Sequence, residues 1–91
     1  MREADIEAAV CRYARSKGLL AFKFTSPGRR NVPDRLVLLP GGRSLFIEFK
    51  APGKTPTAGQ QREHLRLLSL GHRVFVVDDI ERGKRVIDGV L

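Results

Sequence analysis

Ile6, Ala9, Val10, Tyr13 and Ala14 follow the i, i+3, i+4, i+7, i+8 spacing of one apolar stripe, which predicts an amphipathic helix over residues 3–17. Acids (Glu3, Asp5, Glu7) gather in its first turns and bases (Arg12, Arg15, Lys17) in its last, as the helix dipole favours. Gly18 stands where a left-handed cap ends it. The period then changes to two. Residues 20–24 alternate large apolar with smaller or polar side chains, which reads as a half-buried strand. Turn formers fill 25–33, Arg35 to Leu39 is a nearly continuous apolar strand, and Pro40-Gly41-Gly42 turns the chain into a returning strand over 43–50. Beyond a loop at 51–56, Thr57 and Gln60 match a capping box that opens a second helix. That helix runs to Leu70, with Leu65 and Leu68 expected inward and Gly71 at its end. Val74 to Val77 reads as a short buried strand, and Asp78 or Asp79 caps a weak last helix through about Ile87. The order is helix, strand, strand, strand, helix, strand, helix. A hairpin requires antiparallel pairing, and the strand–helix–strand step implies a parallel crossover. An α/β fold with a mixed four-stranded sheet flanked by helices satisfies both.

Composition narrows this picture without changing it. A chain of 91 residues fits one domain, 1–91, with a globular balance of 42% apolar and 30% charged residues. Cys11 is the single cysteine, so no intramolecular disulfide forms, and it is expected as a small core residue in a reducing compartment. No apolar run approaches the roughly 18 residues of a membrane span, and Met1 to Asp5 lacks the order of a signal peptide, so the expected location is cytoplasmic. The net charge of +7 points to a polyanionic partner, nucleic acid above all. Its distribution says more than its size. Residues 8–47 carry eight bases (Arg12, Arg15, Lys17, Lys23, Arg29, Arg30, Arg35, Arg43) and one acid, Asp34, while the remainder is balanced.

That lone acid and a second one define the candidate chemistry. Along 43–50, Leu45, Ile47 and Phe49 share one face, and Phe46, Glu48 and Lys50 the other. A glutamate between Ile47 and Phe49 costs several kcal/mol if buried unpaired. Lys50 relieves part of that cost and a divalent cation relieves more. Asp34, just after Pro33 at a strand end, lies about as far from the Gly41-Gly42 turn as residue 49, so Asp34 and Glu48 fall within reach of one cation. Two carboxylates, the Phe49 backbone carbonyl and waters make the oxygen set that Mg²⁺ takes. Lys23, Ser26, Arg29, Arg30 and Arg35 flank this point and are candidates for phosphate contacts, with Lys54 opposite; contacts of that kind position DNA without reading sequence. As the third residue of its capping box, Gln60 reads as structural. His64 and His72 are expected as ordinary surface or helix-end residues, His64 far from the carboxylates.

Pro33-Asp34 followed by Glu48-Phe49-Lys50 resembles a PD–(D/E)xK nuclease signature, carried on the two arms of one predicted hairpin. More specifically, the chain resembles the virus-type replication–repair nuclease (VRR-NUC) family from end to end. The motifs are Glu3-x-x-Ile6-Glu7, Lys23-Phe24-x-Ser26-Pro27-Gly28, Val32-Pro33-Asp34-Arg35, Pro40-Gly41-Gly42-Arg43, Phe46 through Gly53, and Gln60. Asn31 stands where the family often has Gly, and Asn is well suited to a positive φ. The resemblance implies a restriction-endonuclease-like core and a metal-dependent DNA endonuclease. Short members of this kind are typically phage proteins, similar to Holliday-junction resolvases and expected to be homodimers acting on branched DNA. It further implies that Asp34 and Glu48 hold Mg²⁺ or Mn²⁺, that Lys50 orients water or stabilises phosphorane charge, and that Glu7 or Glu3 reaches the same site. Gln60 then belongs to it as well. No small-molecule cofactor and no membrane partner are expected. Two other readings are a basic nucleic-acid-binding module without catalysis, which leaves Glu48 and Asp34 unexplained, and a sequence-specific restriction-type nuclease, for which elements of base readout are missing.

Overall fold

The computed structural model describes all 91 residues. The first helix, α1 (Glu3–Ser16), opens with the Arg2 N–H donating to the Asp5 carboxylate at 3.3 Å. It closes where Gly18, at φ +81°, donates to the Arg15 carbonyl at 3.0 Å. Ile6, Val10, Cys11 and Ala14 form its buried stripe, as the spacing predicts. Strands β1 (Leu20–Lys23), β2 (Arg35–Leu38), β3 (Ser44–Phe49) and β4 (Val74–Val77) form one sheet in the order β1-β2-β3-β4. The first three are antiparallel neighbours and β4 runs parallel to β3, so the mixed sheet is as expected. Pro40–Gly42 makes the β2–β3 turn as a single 3₁₀ turn with Gly41 at φ 78° and Gly42 at φ 74°, angles that a Cβ disfavours.

The sheet has two unlike faces. On one, α1 and α3 (Ile80–Val90) lie over Val37, Leu45, Ile47, Phe49 and Val77. Together with Leu19 and Leu39 these elements supply every member of the core, and none comes from α2 (Ala58–Ser69). The last helix is longer and more firmly packed than the sequence suggests: Asp79 caps it, and Gly83, Val86, Ile87 and Val90 are buried. α1 and α3 approach so closely that a Cβ on Gly83 would sit 2.3 Å from a Val10 methyl. Cys11 is a free, buried core thiol, and burial raises its pKa.

The opposite face overturns two expectations. On α2, Leu65 and Leu68 do not point inward: they are 64% and 48% exposed, and Glu63 and His64 are buried instead, each 7% exposed. The reason is what lies beneath. α2 packs on the face of β3 that carries Glu48, so its inner surface must satisfy a buried carboxyl group, and its leucines turn to solvent. Likewise β1 is not half-buried. Only its small Ala21 packs against the core, leaving Leu20 and Phe22 about half exposed on the α2 side, beyond the reach of that short helix.

Candidate active site

Asp34 and Glu48 sit opposite one another. The β2–β3 register ends at Arg35↔Ile47, and one step further out Asp34 faces Glu48. Pro33 is buried and the Asp34 carbonyl accepts the Phe24 N–H at 2.8 Å, so the backbone of Asp34 is fixed just outside the ladder. Its side chain is fixed too, with Oδ2 accepting the Phe49 N–H at 2.7 Å. Glu48 is 2% exposed inside the strand. Burial, then the charge of Asp34, pushes its pKa up to about 8, with the Lys50 ammonium opposing. Lys50 follows on the same face, its Nζ 3.9 Å from Glu48 Oε2. These three side chains therefore meet, as the strand alternation requires.

α2 supplies the rest of the surroundings. Thr57 caps it, its Oγ1 accepting the Gln60 N–H at 3.1 Å while Gln60 Oε1 accepts the Thr57 N–H at 3.0 Å. That second bond turns the Gln60 amide so that Nε2 donates to Glu48 Oε2 at 3.2 Å. One side chain thus closes the capping box and contacts Glu48. His64 corrects the sequence reading outright. It is neither a surface residue nor far from the carboxylates: its Nε2 lies 3.5 Å from Glu48 Oε1. Burial, then the Lys50 charge, lowers its pKa. The signal was present in the spacing, because Gln60, His64 and Leu67 stand at i, i+4, i+7 and share one helix face. His72 is exposed at the helix end, as expected.

Glu63 is the other residue that sequence reasoning missed. It receives Arg29 at 2.7 Å and Arg66 at 3.9 Å, and the Arg29 hydrogen bond holds its pKa below the usual carboxylate range. This pair and the close approach of Asn31 to Gly59 dock the 25–33 loop on α2. Asn31 takes φ 67°, the left-handed conformation expected of it.

The flanking residues divide. Arg35 and Glu7 are committed to each other, Nε to Oε2 at 2.7 Å, and Arg35 also donates to the Ala21 carbonyl. In this structure the pair is partly buried and each side chain satisfies the other's charge. Glu3 lies near enough for its charge to act on Glu48. Lys23, Arg30 and Lys54 are exposed, Ser26 is partly covered, and Arg29 keeps about half its side chain in solvent beside Glu63. The main hollow of the surface, about 540 Å³, lies between Phe24 and Val32 on one side and Leu67 and Leu70 on the other. Asp34, Glu48 and Lys50 do not line it.

The donor set fits a hard divalent cation. Glu48 Oε1 is buried with no hydrogen-bond partner, beside a second carboxylate that is already oriented. No three His, Cys, Asp or Glu side chains gather into a ready ligand group. Backbone oxygen and water would complete the shell, as they commonly do for Mg²⁺.

No family model matches the chain. Among solved structures, a VRR_NUC domain superimposes with a TM-score of 0.90, covering 98% of this chain and 97% of its own, at 31% sequence identity. A protein described as "Putative nuclease p44", from Acyrthosiphon pisum secondary endosymbiont phage 1, is 55% identical over 78 residues, 86% of this chain and 84% of that one. The fold, shared over essentially its whole length, is that of an α/β nuclease domain. More particularly, the chain belongs to the VRR-NUC family.

Proposed function

We propose that the protein is an Mg²⁺- or Mn²⁺-dependent endonuclease of the PD–(D/E)xK type that hydrolyses phosphodiester bonds in DNA, with a preference for branched DNA. The observation that carries this reading is Glu48: a carboxylate buried in an apolar strand, beside Asp34, with one oxygen unpartnered. Such an arrangement costs the fold stability, and carboxyls perturbed in this way cluster at functional sites. Asp34, Glu48 and the Phe49 carbonyl would hold the cation. Bound there, it supplies Lewis acidity toward a phosphate oxygen and lowers the pKa of a coordinated water.

The protein's own residues do the remaining work. The Phe49 N–H keeps Asp34 turned inward, and Gln60 keeps Glu48 from rotating. Lys50 places a compact cation where charge develops on the attacked phosphate, the position in which preorganised charge contributes most. Glu3, on the first turn of α1, is the helix acid we assign to the site. Lys23, Ser26, Arg30, Lys54 and the exposed part of Arg29 would hold the phosphodiester backbone on either side.

Symmetric cutting of a branched junction requires two sites at fixed spacing, hence a homodimer. The exposed Leu20, Phe22, Leu65, Leu68 and Leu70 support this reading, since so much large apolar surface favours a partner. The test is cleavage of four-way junctions, flaps, splayed arms and duplex DNA by the purified protein. We expect nicking with Mg²⁺ or Mn²⁺, strongest on branched substrates, stopped by EDTA and lost in Asp34→Ala. Equal cleavage by Asp34→Ala and the parent would overturn the site.

A further inference from the structure

Two buried polar atoms lack hydrogen-bond partners in this molecule, and they face each other: Glu48 Oε1 and His64 Nε2, 3.5 Å apart. That separation lies outside the usual hydrogen-bond range of about 2.7–3.2 Å, and a buried donor or acceptor left without a partner costs stability. Neither atom is free to move away. Glu48 is held through its other oxygen by Gln60, at 3.2 Å. His64 stands four residues after Gln60 on the same face of α2 and is 93% buried, by the complement of its 7% exposure. The helix thus grips one carboxylate oxygen with an amide and aims an imidazole nitrogen at the other.

Metal–nitrogen and metal–oxygen bonds of about 2.0–2.2 Å put two adjacent donors roughly 3–3.5 Å apart, which is the spacing found here. We propose that His64 Nε2 joins Glu48 Oε1 as a neighbouring donor to a divalent transition metal at this site, beside Asp34 and the Phe49 carbonyl, with water filling the remaining positions. Imidazole nitrogen suits transition metals, whereas Mg²⁺ favours an all-oxygen shell. His64 therefore biases the site toward Mn²⁺ over Mg²⁺. The inference rests on the metal-dependent reading above and extends its ligand set to a residue on α2.

The test is binding rather than cleavage. Mn²⁺ and Mg²⁺ titrations by calorimetry, with electron spin-echo measurements on bound Mn²⁺, are made on the full chain and on His64→Leu and His64→Gln. Circular dichroism of each variant establishes that it is folded. The parent should show nitrogen coupling to bound Mn²⁺. A folded variant should lose that coupling and about tenfold or more in Mn²⁺ affinity, with Mg²⁺ affinity changed far less. Should Mn²⁺ bind the parent without nitrogen coupling, or should the coupling persist in both variants, His64 is no ligand and this inference falls alone. Should neither cation bind the parent, the metal-dependent reading falls with it.

Discussion

The two faces of the sheet obey opposite rules. Under α1 and α3, Val37, Leu45, Ile47, Phe49 and Val77 meet only apolar partners, and side chains pack until a single added Cβ at Gly83 collides with Val10. Under α2, the helix contributes nothing to the core and packs Glu63 and His64 inward while Leu65 and Leu68 face solvent. One face holds the protein together. The other gives up part of that stability to a buried carboxyl group with one oxygen unpartnered. The sheet beneath α2 also carries Leu36, Phe46 and Val76, and it is Glu48 among them that draws polar side chains inward.

Phe49 and Lys50 are consecutive and belong to opposite faces, so they break the comparison most sharply. Phe49→Ala should cost about 3–5 kcal/mol, much of the stability of a small domain, read as a large fall in urea midpoint. Lys50→Ala should leave the midpoint within about 1 kcal/mol and lower the cleavage rate roughly a thousandfold. If Lys50→Ala unfolds the protein or cleaves normally, the division of labour between the faces is wrong.

A smaller effect sharpens the cost of the site face. Glu48 ordinarily titrates near 4.5 and is held up to about 8. Between these values the folded chain keeps a proton that the unfolded chain has released, so stability falls as pH rises. His64, lowered from its ordinary 6.5, acts in the opposite sense, but only below 6.5. From pH 6.5 to 8 the Glu48 effect therefore acts without it and amounts to roughly 2 kcal/mol. In chelator, urea midpoints should decline across that window, and Glu48→Gln should remove the decline. A flat profile for the parent would mean that the carboxyl is not shielded.

The smallest expected effect concerns the outer surface of α2. Leu65→Ala should change the stability of the isolated protomer by no more than about 0.5 kcal/mol, since its side chain leaves little water behind on folding. A loss of about 2 kcal/mol or more would be the signature of a core leucine. In a dimer built on this surface, the same substitution should shift the monomer–dimer balance measured by light scattering.

Much of this was legible in the residues. The stripe Ile6, Val10, Ala14, the alternation of Leu45, Ile47 and Phe49 against Glu48 and Lys50, and the turn at Gly41-Gly42 are local signals with local causes, and each element formed where its pattern places it. The meeting of Asp34 with Glu48 followed from counting back from a hairpin turn. His64 and Glu63 were misjudged because a helical stripe is scored by hydrophobicity, and α2 has two candidate stripes. The leucines at 65 and 68 are the more apolar, and the buried carboxyl of Glu48 beneath reverses the choice. The pairing of Glu7 with Arg35 was not legible for a related reason: each carries a charge suited to the site, and only the α1–sheet interface brings the two together.

The sequence by itself determined the element order, the mixed sheet, the face of β3 that carries the acid and the lysine, and the VRR-NUC resemblance. These depend on periodicity and on residues close along the chain. Tertiary structure alone decided which side of α2 is inside, which acid of α1 remains near Glu48, and which oxygen of Glu48 stays without a partner. Those outcomes depend on electrostatic satisfaction between elements far apart in sequence, where several residues can claim one partner and only their positions in space select among them.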